Sequence, residues 1–182
     1  MTRGPTLPAH RLPYLPKPLD AFNTAADDEV HALLLRCLRS PRWSRRIADH
    51  RPYPDLDALL AAADEAAYDL SPGELAQALA GESLPELPEG IYSAAHMALS
   101  AAQAAYEARF GHGFAIYLGD TPPDEVLDRI LEAIRSRLAN DPEEERVTAA
   151  EELRRLARGR LGHLLGTTGS CATSTNTPVS GK

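Results

Sequence analysis

The chain has 182 residues, 43% of them hydrophobic and 25% charged, which fits one soluble globular domain with a single core. Aromatic residues make up only 5%, which favours helices over strands, because strands are enriched in aromatic and β-branched residues. The formal net charge of -7 argues against a general nucleic-acid or anionic-membrane binder, and no apolar run reaches the roughly 18 residues that span a bilayer.

The two cysteines indicate a reducing, cytoplasmic setting. Cys37 lies in a helical pattern and Cys171 in a polar tail, so a disulfide framework is not expected. Neither has Cys or His neighbours at the spacing of zinc ligands, and no metal site is expected. The N-terminus is rich in proline and lacks the apolar segment of a secretory signal.

The first half of the chain predicts short helices separated by proline turns. Residues 1–17 are expected to be irregular or disordered, and the helical domain is expected over 18–165. Asn23 or Thr24 can cap the first sizeable helix. Ser40, Asp55 and Ser71 are the predicted N-caps of the next three helices, and Ser71 forms a capping box with a Glu three residues later.

The second half predicts longer helices around one apolar connector. A loop over 81–90 precedes a helix over about 92–110, which Gly111 ends. The connector 114–118 is followed by a helix start at 121–124, and Asp141 caps a last helix that Gly166 stops. The tail 166–182 is expected to be disordered. The prediction is an all-α, single-domain, multi-helix bundle with a short extended apolar connector at 114–118.

Arg160 is the first candidate for a functional residue, because it falls on the apolar stripe of the last helix. Such an Arg can bury its stem and extend its charged head to water. Alternatively, its guanidinium turns inward and holds a carboxylate or ureide with its planar fork. The residue pattern leaves both interpretations open.

Three further residues carry weaker signals. His96 lies on the apolar stripe of its helix, where a hydrogen-bonded core His is the commoner case and proton transfer the alternative. Ser93 suits a helix start, and its hydroxyl could also reach a ligand. Glu82 lies in the proline-rich loop, where a solvated acid is the ordinary interpretation and a general acid or base the functional one.

Several segments resemble a known enzyme family. They are, in chain order, LLLRCLRSPRW, RPYPDLDALLAAADEAAYDLS, YEARFGHGFAIYL, RSRLANDPEEER and AEELRRLARGRLGHLL. In this order and spacing they resemble the 2-oxo-4-hydroxy-4-carboxy-5-ureidoimidazoline (OHCU) decarboxylases of uric acid breakdown, over roughly residues 18–165. The resemblance implies an all-α fold, a homodimer, and a cofactor-free decarboxylation that yields (S)-allantoin.

The resemblance also implies site residues. The family's catalytic His opens an HPRIG-like motif, and the corresponding stretch here, AGESLPELPEG, places Glu82 at the His position and Ser83 at the Pro position. The family's substrate-contacting SxxEQ element corresponds to Ser93, His96 and Met97. Its pocket-lining positions correspond to Arg160 and to the connector, which consists of Phe114, Ala115, Ile116, Tyr117 and Leu118.

Two functional hypotheses follow from these matches. In the first, Arg160 and the connector amides hold the substrate, and Glu82 or His96 replaces the family's proton donor. In the second, the chain keeps the fold as a module that binds a small ligand or a protein and performs no catalysis.

Overall fold

The computed structural model describes residues 18–84 and 93–166, without the side chain of Ser93. These ranges contain eight helices and no strand, which confirms the all-α, single-domain prediction. The helices are α1 Pro18–Thr24, α2 Asp27–Cys37, α3 Pro41–Asp49, α4 Leu56–Tyr68, α5 Pro72–Ala80, α6 Ser93–Phe110, α7 Val126–Arg137 and α8 Pro142–Gly166. The predictions for residues 1–17, for most of the 81–90 loop and for the tail after residue 166 lie outside the described residues.

The side-chain caps predicted for α3, α4 and α5 are present. Ser40 Oγ accepts a hydrogen bond from the Trp43 amide at 3.2 Å, and the Asp55 carboxylate accepts one from the Ala58 amide at 2.8 Å. Ser71 forms its capping box at the start of α5. These caps satisfy amide groups that the first helical turn leaves without partners.

The predicted cap of the first sizeable helix is wrong. The chain is already helical from Pro18, and Ala26 is the N-cap of α2. The Asn23 side chain instead exchanges two hydrogen bonds with the backbone of Tyr53, at 2.8 and 2.9 Å, and Thr24 Oγ1 donates to a carbonyl within α1. Both side chains are therefore used in other contacts.

The helix predicted to start at 121–124 begins a few residues later, at Val126. The Thr121 hydroxyl does not cap it, because it donates backwards to the Leu118 carbonyl. The last helix agrees more closely with its prediction. Asp141 Oδ1 accepts a hydrogen bond from the Glu144 amide at 2.9 Å, and Glu144 Oε2 accepts one from the Asp141 amide at 3.2 Å.

The described residues form two hydrophobic clusters, where the chain length suggested one core. The larger cluster joins α1 to α5 with α8 around Trp43, whose indole donates to the Ala63 carbonyl at 2.9 Å. The smaller cluster joins α6 and α7 around Tyr106. The connector 114–118 runs between them: Ala115 packs in the larger cluster, and Phe114 and Ile116 in the smaller. It is neither helix nor strand, yet its side chains alternate as they do in a strand.

No helix within the described ranges is long and apolar enough to cross a membrane.

Candidate functional site

One cavity lies where the connector, the residues after α5 and the second half of α8 meet. Its volume is about 230 Å³. The side chains and backbone that surround it are Glu82, Ser83, Leu84, Phe114, Ala115, Ile116, Tyr117, Leu118, Gly119, Leu156 and Arg160. The structure therefore brings together Glu82, Ser83, the whole connector and Arg160, which are far apart in the sequence.

Arg160 points inward and is held by two parts of the chain. Its Nη1 donates to Glu82 Oε1 at 2.9 Å and its Nη2 donates to Glu82 Oε2 at 2.7 Å, which is a bidentate ion pair. Nη1 also donates to the Cys37 carbonyl at 3.0 Å. The hydrogen bonds to Glu82 raise the pKa of Arg160 above its ordinary value. The guanidinium is thus fixed beside the cavity as a cation.

Exposure differs between the two partners of this ion pair. The Glu82 side chain is only 4% exposed, whereas that of Arg160 is 37% exposed. The N–H of Nε and the second N–H of Nη2 have no protein acceptor among the described residues. A ligand with a carbonyl oxygen can accept from these groups without breaking the ion pair.

A buried polar cluster formed by Arg137, Glu145 and Tyr106 holds the connector in place. Arg137 Nη1 donates to the Ala115 carbonyl at 2.6 Å, and its Nε donates to Glu145 Oε1 at 2.9 Å. The Tyr106 hydroxyl also donates to Glu145, and the Arg137 guanidinium lies 4.4 Å from the centre of the Phe114 ring. Burial, followed by the hydrogen bond to Glu145, raises the pKa of Tyr106 well above its usual range. This cluster fixes the connector, which lines the cavity together with Arg160.

Sequence reasoning did not single out this cluster, although a signal was present. Arg137 is 7% exposed and continues the buried stripe of α7 through Ile130 and Ile134. The same argument that selected Arg160, an Arg on an apolar stripe, applies to it. Glu145 is fully buried but sits in an acidic run, where its neighbours Glu143 and Glu144 are exposed. Its partners could not be identified from spacing.

Tyr117 lies at the edge of the cavity and depends on a glycine of α8. Its backbone amide donates to Glu152 Oε2 at 2.7 Å, so this connector amide is already occupied. Its ring lies so close to Gly159 that a Cβ atom there would be 2.8 Å from Tyr117 Cε2. Gly159 is therefore required for this ring position.

We expect a Gly159→Ala variant to move the Tyr117 ring at the edge of the cavity. Gly162→Ala is the matched control, because its added Cβ would meet only Leu60 methyl groups, at 3.9 and 4.0 Å. Removing a mid-helix glycine should stabilise the control by up to about 1 kcal/mol. Gly159→Ala should gain less stability, because moving the Tyr117 ring costs free energy that offsets part of the gain. Thermal unfolding measures the two stabilities, and crystal structures of both variants show the position of the Tyr117 ring. Equal behaviour of the two variants would contradict the role assigned to Tyr117.

The structure does not bring His96 and Met97 to the cavity. His96 and Met97 lie on α6 and are exposed, Met97 to 70%, and neither lines the cavity. The buried face of α6 begins only at Leu99, since the described residues that pack on this helix cover its later turns. The side chain of Ser93 lies outside the described residues.

Two other features bear on chemistry. Cys37 is buried, and burial raises the pKa of its thiol to about 11, so it is a poor nucleophile near neutral pH. Among the described residues, no group of three or more His, Cys, Asp or Glu side chains could hold a metal ion.

Comparison with known proteins identifies the family. The sequence profile described as OHCU decarboxylase matches residues 23–90 and 87–162. The chain belongs to the OHCU decarboxylase family, as the resemblance indicated. A search of curated proteins found no significant match.

Solved structures share the fold. A crystal structure of OHCU decarboxylase in the presence of (S)-allantoin is similar with a TM-score of 0.64 and 17% sequence identity, covering 78% of this chain and 99% of that one. A crystal structure of (S)-allantoin synthase is similar with a TM-score of 0.62 and 18% identity, covering 81% of this chain and 54% of that one. The present chain thus spans about half the length of the allantoin synthase chain.

Proposed function

We propose that this chain is an OHCU decarboxylase-like protein of purine catabolism, and that the cavity beside Arg160 binds a small ureide. The observation that carries the proposal is the meeting of the connector, Glu82 and Arg160 around one cavity in a member of this family. The volume of about 230 Å³ lies below the range of roughly 300–1,000 Å³ that is usual for drug-sized ligands, so the cavity suits a small molecule.

Ligand positioning in this proposal uses the groups that remain available. A ureide carbonyl accepts from Arg160 Nε or Nη2, while the ring of the ligand packs against the apolar connector side chains. Arg137 and Glu145 hold the connector in place through the Ala115 carbonyl. In OHCU decarboxylation the bond to the departing CO2 breaks and leaves its electron pair on a ring carbon, which must then receive a proton.

Glu82 is the described carboxyl group that lines the cavity, but in this proposal the proton that the ring carbon receives comes from water. In the observed geometry both oxygens of Glu82 accept hydrogen bonds from Arg160, so the side chain is engaged in the ion pair. Well-placed general acid catalysis contributes about 10²–10⁴-fold in rate. We therefore propose turnover slower by about this factor than in a relative that carries the catalytic His.

A second candidate function is ureide binding without turnover. Two observations favour it. Glu82 is engaged in the ion pair with Arg160, and His96 lies on the exposed part of α6, away from the residues that line the cavity. Both candidates use the same cavity and differ in whether CO2 is released and the ring carbon is then protonated.

The test is to supply freshly generated OHCU and to follow optically active allantoin by circular dichroism. A slow but protein-dependent excess of (S)-allantoin, lost in Arg160→Ala, is the expected result. If (S)-allantoin does not exceed the spontaneous reaction but allantoin still binds in an Arg160-dependent manner, the binding function holds. If neither is seen, the assignment of the cavity to ureides is wrong.

The proposal also includes a homodimer, which the family resemblance suggests, and a cytoplasmic location, which the two cysteines suggest. Light scattering of the purified protein tests the first part, and fractionation of cells that express the chain tests the second.

A further inference from the structure

We infer that the ring of Tyr117 limits the size of the ureide that the cavity accepts, because it closes the cavity edge to ligands with a bulky substituent. This inference rests on the proposed ureide site and adds the side chain that selects its ligands. The cavity, at about 230 Å³, is smaller than the usual site for a drug-sized ligand, so the residues that close it decide what fits.

The alternation of the connector side chains brings Tyr117 to the cavity edge. Phe114 and Ile116 pack in the smaller hydrophobic cluster, and Ala115 packs in the larger cluster, which contains α8. Side chains two residues apart in an extended segment share a face, so Tyr117 follows Ala115 towards α8. Phe114 and Ile116 are buried, whereas Tyr117 lines the cavity and is 43% exposed. Its ring therefore stands between the cavity and solvent.

Helix α8 supports both the ring and the backbone of Tyr117. A Cβ atom at Gly159 would lie 2.8 Å from Tyr117 Cε2 and 3.5 Å from its hydroxyl oxygen, so the ring occupies the space that a side chain at 159 would need. The Tyr117 amide donates to Glu152 Oε2 at 2.7 Å, and the Glu152 side chain is only 16% exposed. A ligand substituent that reaches this edge thus meets a ring that cannot retreat towards α8.

The hydroxyl group of Tyr117 does not hold the ring in place. It has no hydrogen-bond partner within the part of the chain that the structure describes. The closest approach to Gly159 involves a ring carbon, which a phenylalanine also has. A Tyr117→Phe variant therefore keeps the closed edge, and a Tyr117→Ala variant opens it.

The experiment compares allantoin with two phenyl derivatives, one substituted on the terminal ureido nitrogen and one on a ring nitrogen, so that either end of the ligand can face residue 117. Calorimetric titration gives the ratio of the affinity for allantoin to that for each derivative. Wild type and Tyr117→Phe should both prefer allantoin. Tyr117→Ala should lower the ratio for at least one derivative by about 10- to 200-fold, a range that one misplaced methylene group already produces. Tyr68→Ala is the matched control, because Tyr68 is also exposed but does not line this cavity.

A second variant tests the same ring without changing residue 117. The Cβ atom added in Gly159→Ala displaces the ring, so the affinity ratio should change, whereas Gly162→Ala should keep the wild-type ratio. This pair decides the question if Tyr117→Ala does not fold.

The outcomes separate this inference from the proposed function. If wild type binds allantoin, the inference is wrong when a derivative binds as tightly, when Tyr117→Ala keeps the wild-type ratio, or when Tyr117→Phe also loses the preference. Ureide binding stands in each of these cases. If wild type binds none of the three compounds but Tyr117→Ala binds one of them, the ring closes the cavity and ureide binding by wild type is rejected. If neither protein binds any of them, both are rejected.

Discussion

An Arg137→Met variant should lose about 3–5 kcal/mol of unfolding free energy, which is the cost of removing one partner from a buried ion pair. Glu145 would remain fully buried without its cation, and the Ala115 carbonyl would lose its donor. The contact of the guanidinium with the Phe114 ring would also disappear. Because these groups support the connector, the cavity should lose its shape together with the stability.

Denaturant unfolding followed by circular dichroism measures this loss. The control is Arg146→Met, since Arg146 pairs with Glu143 at the surface with side chains 44% and 72% exposed. A pair of this kind contributes about 0–1 kcal/mol. Loss of less than about 1 kcal/mol in Arg137→Met would show that the buried cluster is not what holds the connector.

Removing the charge of Arg160 should also be costly. An Arg160→Met variant leaves Glu82, only 4% exposed, without its cation. We expect a loss of about 2–3 kcal/mol of unfolding free energy, below the roughly 3–5 kcal/mol of a fully buried pair, because Arg160 itself is partly hydrated.

A double-mutant cycle with Glu82→Gln isolates this effect. The double variant should be more stable than Arg160→Met alone, because the buried charge that Arg160 compensated has been removed. Denaturant unfolding of the four proteins gives the coupling free energy. Additive losses in the double variant would mean that the two side chains do not interact in solution.

Sequence reasoning predicted the helices where local chemistry decides the structure. Ser40, Asp55 and Ser71 cap their helices because the required partner is the amide a few residues ahead. Asn23 was misassigned because its partner is the backbone of Tyr53, thirty residues away, which no local pattern indicates.

The same distinction applies to the candidate site. The apolar connector and the Arg on an apolar stripe are visible in the sequence, and the structure places both at one cavity. That Glu82 would pair with Arg160 could not be predicted, because the contact depends on how the end of α5 meets α8. The exposure of His96 could not be predicted for the converse reason: a stripe position predicts burial only where a neighbouring element covers it, and α6 is exposed there.

A crystal structure with allantoin tests the central claim most directly. The account predicts allantoin in the cavity between the connector and α8, with a carbonyl oxygen within hydrogen-bonding distance of the Arg160 guanidinium and the bond between Arg160 and Glu82 intact. Allantoin bound at another place, or an empty cavity at a concentration that saturates binding in solution, would contradict it.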